Sequence, residues 1–336
     1  MKLFVLHPGS DCPDQQFPDF AGVPSPKLAP PLGYLGFAAC TGGAFVRKAS
    51  AIPPSEKRVL LLVDANLKRA RQAIIDLRRA GKTVVIAFDN TSATTLTEQL
   101  RNPAALEVFQ DIWTRAHAAL TPARDLEPVF RACGLLYVEA VLHPVPVEEP
   151  AWDFSSRPEH RTGILLGTWD WHTPSCNHLL ALLGLREVAS QMYEPVTVFN
   201  LDGWRGRRWL RQLRYPSGLL QVVERRLPYP EYLRIVARHK MVFQLDARAG
   251  TGRVASDALL ARIPCVGGNG STERILFPDL CGHGVNTPDL FQTASRMLDH
   301  GHDRELAVER ALDVAKQLLA FPKVQQTLEE LFHYLG

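Results

Sequence analysis

No apolar run in the 336-residue sequence approaches the roughly 20 residues needed to span a bilayer, which excludes a transmembrane helix. The first ten residues, MKLFVLHPGS, hold about five apolar side chains before a proline, too few for a secretory signal. Cysteine is sparse and scattered. The six (Cys12, Cys40, Cys133, Cys176, Cys265, Cys281) form no Cys-x-x-Cys pair and no zinc spacing, which points to reduced thiols and a cytoplasmic protein. Peripheral contact with the inner membrane stays open. Charge of one sign is missing as well: 38 basic against 35 acidic residues give a net +3, so no nucleic-acid partner is expected. There is no Walker motif, and Gly250-x-Gly252 lacks the third glycine of a dinucleotide fingerprint. The histidines lack metal-ligand spacing; His300-x-His302 reads as a solvated turn between helices, and no metal is expected.

What is present is an ordinary globular composition, 46% hydrophobic and 22% charged, at a length that suits two domains. The chain is organised around residues 241–273, MVFQLDARAGTGRVASDALLARIPCVGGNGSTE. An apolar strand runs into a turn holding Gly250, Thr251 and Gly252. A helix carries Val254, Ala258, Leu259 and Ile263 to Pro264, and a second short strand breaks into the loop 267–270, with Glu273 behind it. Strand, glycine turn, helix and strand predict a parallel α/β sheet whose ligand sits beyond the strand ends. Glycines there admit backbone N–H groups to a phosphate, and the following helix start adds partial positive charge.

The same alternation begins earlier. Residues 3–6 read as an opening strand, 10–31 as a long loop, 35–44 as a short helix and 45–51 as a strand. Residues 59–63 (VLLLV) and 83–88 (TVVIAF) predict buried strands flanking a helix that starts at residues 64–66 and stops at Gly81, a right-handed βαβ unit. A polar and then amphipathic stretch reads as helical to about Leu120. Pro144, Pro146, Pro150 and Pro158 mark a boundary, giving an N-terminal domain of residues 1–150 and a C-terminal domain of 151–336 whose last helix returns toward the first. Each domain is expected to be Rossmann-like, the two parallel sheets facing across a cleft.

Four segments in order carry a resemblance: LTPARDLEPVFRACG (120–134), VLHPVPV (141–147), LPYPEYLRIVARHKMVFQLD (227–246) and GTGRVASDALLARIPCVGG (250–268). Together they resemble the large retaining group of GT-B glycosyltransferases (glycosyltransferase group 1, family 4-like). The likeness covers residues 120–330; over 1–119 it is architectural only. It implies a metal-independent enzyme, with no cofactor beyond a nucleotide-sugar co-substrate, that moves a sugar to a glycan, lipid-linked or protein acceptor in bacterial glycan assembly.

Residue by residue, the resemblance implies that Asp257 accepts hydrogen bonds from the donor ribose. Glycines Gly250, Gly252, Gly267 and Gly268, with Thr251 and Glu273, would surround the donor. Two departures stand out. Ala249 occupies the position of a second family glutamate, with Asp246 close by but out of register. The loop GTWDWHTPSCN (167–177) holds neither the Arg nor the Lys usual on the diphosphate. A cation must then come from elsewhere: Arg253 first, followed by Arg248 and the group around Arg205 and Arg208. Thr168 and Trp169 belong to the donor loop. Trp169 and Trp171 are each suited to stacking on a base or to anchoring the loop. On the acceptor side Asp89 ends a strand where it could orient or deprotonate a hydroxyl, or simply cap a helix, and Gly33-Tyr34 sits where relatives have an acceptor loop. Arg253 and Asp89 are the catalytic candidates. A non-catalytic binding or scaffold protein of the same fold, and a nucleotide-sugar epimerase, remain as alternatives.

Overall fold

The computed structural model describes the chain except residues 89–92, 133, 136 and 168–170, and gives no side-chain environment for 93–95. Twelve strands form two sheets among the described residues. The first holds β1 (Phe4–Leu6), β2 (Gln15–Gln16), β3 (Ala44–Val46), β4 (Arg58–Val63), β5 (Thr83–Phe88), β6 (Ala118–Thr121) and β7 (Val138–Ala140), in the order β2-β3-β1-β4-β5-β6-β7. All its pairings are parallel except β2 against β3, a two-residue bridge inside the loop after β1. The second holds β8 (Ile164–Leu166), β9 (Val196–Phe199), β10 (Leu220–Val223), β11 (Met241–Gln244) and β12 (Cys265–Gly267), all parallel, in the order β10-β9-β8-β11-β12.

Burial on both faces explains why the central strands β4 and β5 are nearly continuous apolar runs. Val59, Leu61 and Val63 enter one core with Ile74 and Leu77 of helix Leu67–Arg79 and with Phe109 and Trp113 of helix Pro103–Arg115. Leu60 and Leu62 point the other way, into a core continuous with that of the second sheet. Asn66 caps the Leu67–Arg79 helix by accepting from Arg69 N.

Two local expectations need correction. Residues 118–121 are strand β6, not the end of a helix: Ala118-Ala119-Leu120-Thr121 has helical propensity, but all four side chains are buried between β5 and β7, and tertiary pairing overrides a weak local preference. The strand expected over 45–51 ends at Val46, and a 3₁₀ turn, Ala49–Ala51, takes the rest.

The carboxyl ends of the two sheets face each other. After β6, Arg124 N donates to Ser271 Oγ at 3.3 Å, and Asp125 pairs with Arg274 at 3.1 Å, joining that loop to the one after β12. Trp152 Nε1 donates to the carbonyls of Ala21 and Gly22 at 3.2 and 3.0 Å, holding the long loop 10–31. The last helix, Phe321–Tyr334, lies against the first half of the chain. Its Glu329 accepts from the Met1 ammonium at 2.7 Å, and Tyr334 stacks on Tyr137 with centroids 4.6 Å apart. No helix among the described residues is long and apolar enough to cross a membrane.

Candidate functional site

The helix after β11, Arg253–Leu260, starts from Gly252, whose left-handed backbone (φ 81°, ψ 46°) needs no side chain. A Cβ on Gly252 would stand 1.9 Å from Glu273 Oε2. The two glycine-rich loops are laced together: Ser271 N donates to Gly250 O at 2.8 Å and Thr272 N to Thr251 O at 3.1 Å. Glu273 lies beneath this lacing, only 2% exposed. Its Oε1 accepts from Gln244 Nε2 of β11 at 2.8 Å, while Oε2 has no hydrogen-bond partner among the described residues. Burial pushes its pKa up to about 7. Backbone amides of Glu273 and Ala255 and the Gln244 amide oppose the shift, and the nearby Asp246 charge adds to it.

On the helix itself, Asp257 is 5% exposed and accepts from the Tyr229 hydroxyl. Tyr232, one turn further along helix Tyr229–Val236, also hydrogen-bonds to it. Burial raises the Asp257 pKa against the opposing pull of Arg253 and both hydroxyls. Arg253 is exposed, and its guanidinium lies 5.5 Å from the centre of the Tyr229 ring. Arg253 and Asp257 therefore meet through Tyr229. No direct ion pair forms between them among the described residues.

Opposite this helix stands the chain crossing between the halves. His143 presents its ring edge-on to Tyr34 (centroids 4.6 Å apart) and Phe37 (5.7 Å). Its Nε2 is buried without a hydrogen bond among the described residues. Burial and the Arg253 charge lower its pKa to about 3, so the ring is neutral at ordinary pH. Tyr34 in turn donates to the carbonyl of Phe88, at the end of β5. Tyr34, which opens helix Tyr34–Ala39, packs on this neutral imidazole, and the Arg253 charge from the second half acts on it.

The sequence matches no family model and no curated protein. Solved structures do match. A trehalose-6-phosphate synthase is similar with a TM-score of 0.63 at 12% identity, over 86% of this chain and 74% of that one. An E. coli trehalose-6-phosphate structure bound with UDP-2-fluoro glucose gives 0.64 at 12% identity, over 86% and 75%. The N-terminal domain of a Candida albicans trehalose-6-phosphate phosphatase gives 0.67 at 9% identity, over 86% and 74%. The chain has the GT-B fold.

Within this GT-B frame the structure collects Gly250, Thr251, Gly252, Arg253, Asp257, Gly267, Gly268 and Glu273 on one side of the cleft, and Gly33-Tyr34 on the other. Asp89, Thr168 and Trp169 lie outside the described residues. Trp171 packs its ring against His178 at 4.3 Å, anchoring the loop after β8. Of the alternative cations, Arg248 is held by Asp246, Nε to Oδ1 at 2.9 Å. The Arg205 group sits on helix Trp204–Gln212 beside β9 and β10, on the far side of β8 from the glycine turn.

Three contributors escaped the sequence. His143 lies in a proline-rich crossing that reads as linker. Tyr229 and Tyr232 read as helix filler, although their three-residue spacing puts both on one face. The third is a pair, His7 after β1 and Asp64 after β4, with Nε2 and Oδ2 3.4 Å apart. Asp64 Oδ1 accepts from Asn66 N at 2.7 Å, and a Cβ on Gly9 would lie 1.9 Å from Oδ2, so the glycine makes room for the carboxylate. β1 is flanked by β3 and β4, and the chain order reverses there, which is where open parallel sheets place ligands. A histidine directly following the first buried strand was the only available signal.

Proposed function

We propose that this chain transfers a sugar from a nucleotide-activated donor to a hydroxyl acceptor. The observation that carries the proposal is Arg253, exposed at the start of a helix behind a glycine turn, braced by Tyr229 over a buried Asp257 and facing Tyr34 and His143 across the cleft. A guanidinium and helix-start amides suit a diphosphate, and they stabilise it most as it leaves with the electrons of the broken sugar–oxygen bond. Asp257 is sealed beneath two tyrosine hydroxyls, so it acts by fixing Tyr229 and Arg253 rather than by holding a ribose directly. Residues 1–150 supply the acceptor side, with Tyr34, Asp89 and the His7–Asp64 pair, and residues 151–336 the donor side. The acceptor would be a glycan, a lipid-linked sugar or a protein, in bacterial glycan assembly in the cytoplasm. Retention of configuration and metal independence rest on the resemblance to the retaining GT-B group.

A second reading, binding without catalysis, is favoured by Ala249 and by the absence of Arg and Lys in residues 167–177. A fold shared by synthases and by the N-terminal domain of a phosphatase does not by itself specify chemistry. Incubation with a panel of nucleotide sugars and hydroxyl acceptors decides. Released nucleotide with a glycosylated product is expected. An epimerised sugar, or saturable binding with no turnover, would replace this proposal by one of its alternatives.

A further inference from the structure

Seven of the 38 basic residues but one of the 35 acidic residues fall between positions 204 and 226. The rest of the chain therefore has an excess of acid. All seven are exposed arginines. Four lie on helix Trp204–Gln212, one in the turn after it and two directly after edge strand β10. Gly206 and Leu210 turn inward, which leaves Arg205, Arg208 and Arg211 on the outer face. Trp204 and Trp209, on the same helix, are 65% and 48% exposed. The segment's ion pairs, Arg207–Glu224 at 3.2 Å and Arg225–Glu231 at 3.7 Å, account for two of its arginines. Between helix and strand runs a groove of about 580 Å³, with Arg207 and Arg211 beside aliphatic Leu210, Leu220 and Val222.

We propose that this edge docks the protein onto an anionic phospholipid bilayer. The arginines meet lipid phosphates, and both indoles enter the headgroup layer. Charge alone would suit any polyanion. Two exposed tryptophans and an aliphatic groove among the arginines instead match a boundary that is charged on one side and apolar on the other. Strands β9 and β8 lie between β10 and β11, so the docking edge is roughly 14 Å from the glycine turn along the sheet and leaves the cleft open to solvent. The inference goes beyond sugar transfer and holds whichever donor the cleft takes.

Sedimentation with vesicles tests it. Binding is expected to phosphatidylcholine vesicles containing about 30% phosphatidylglycerol and not to pure phosphatidylcholine, with a blue shift of tryptophan emission. Raising salt from about 0.1 to 0.5 M should weaken it. The triple variant Arg205→Glu, Arg208→Glu, Arg211→Glu should lower partitioning by about a hundredfold or more, since each arginine contributes roughly fivefold. Trp204→Ala with Trp209→Ala should remove the blue shift. These side chains are exposed, so both variants should melt with the wild type; should the triple variant unfold, Arg208→Gln alone still gives a severalfold loss. Equal binding to neutral and anionic vesicles, binding to neither, or charge-reversed protein that binds as well as wild type would overturn the proposal. Retention on heparin without vesicle binding would assign the edge to a soluble polyanion instead.

Discussion

Gly252→Ala is expected to destabilise the protein by about 2–5 kcal/mol and to abolish nucleotide binding along with the lost stability. Two costs combine. At φ 81° an alanine occupies the left-handed region, at roughly 1–2 kcal/mol. Its Cβ would also stand 1.9 Å from Glu273 Oε2. That carboxylate has little room to retreat. Gln244 holds its other oxygen at 2.8 Å, and a Cβ on Gly270 would itself come within 2.5 Å of Oε2. Urea unfolding gives the change directly. Adding Glu273→Ala to Gly252→Ala removes the clash but not the backbone cost, so the double variant should fall less far than the two single losses summed. An unchanged unfolding midpoint for Gly252→Ala would mean that the turn is not packed on Glu273.

Glu273 makes stability depend on pH in an unusual direction for a carboxylate. Its folded pKa of about 7 lies above its ordinary 4.5, so the folded protein holds the proton more tightly than the unfolded chain does. The stabilisation is complete below pH 4.5 and is lost as pH rises through about 7, an effect of about 3 kcal/mol. Asp257, with its pKa also raised, acts in the same direction. His143 acts oppositely: with its folded pKa lowered to about 3 from 6.5, it contributes stability above 6.5 that is lost as pH falls. The Glu273 share is isolated as the difference between wild type and Glu273→Gln. Glu273→Gln should be the more stable above pH 7 and should lose most of its advantage by pH 4.5. A difference that does not vary with pH would show that Glu273 titrates in the folded protein as it does in the unfolded chain.

The chain's own pattern revealed what depends on neighbours in sequence. VLLLV and TVVIAF predict β4 and β5 because both faces of a parallel strand are buried, and the breaks at Gly250–Gly252 and Gly267–Gly268 predict the loops. β6 was hidden because four small residues owe their strand to β5 and β7 rather than to their own preference. The site was legible as a place more than as a mechanism. Arg253 and Asp257 stand out by spacing, but that Tyr229 lies between them is a fact of two helices packing. The cage around Glu273 and the approach of His143 to Tyr34 likewise join residues distant in the chain, and no local motif announces either.

The central claim is that Arg253 grips the diphosphate of an activated sugar. Its most direct test is isothermal titration of wild type and Arg253→Ala with UDP, GDP, ADP and dTDP, and with the nucleoside of whichever binds. Losing a charge-assisted hydrogen bond of roughly 1.5–3 kcal/mol should weaken the diphosphate about 10- to 150-fold and leave nucleoside affinity essentially unchanged. A wild type that binds none of the four, or an Arg253→Ala protein that is folded and binds the diphosphate as tightly as wild type, would contradict the account.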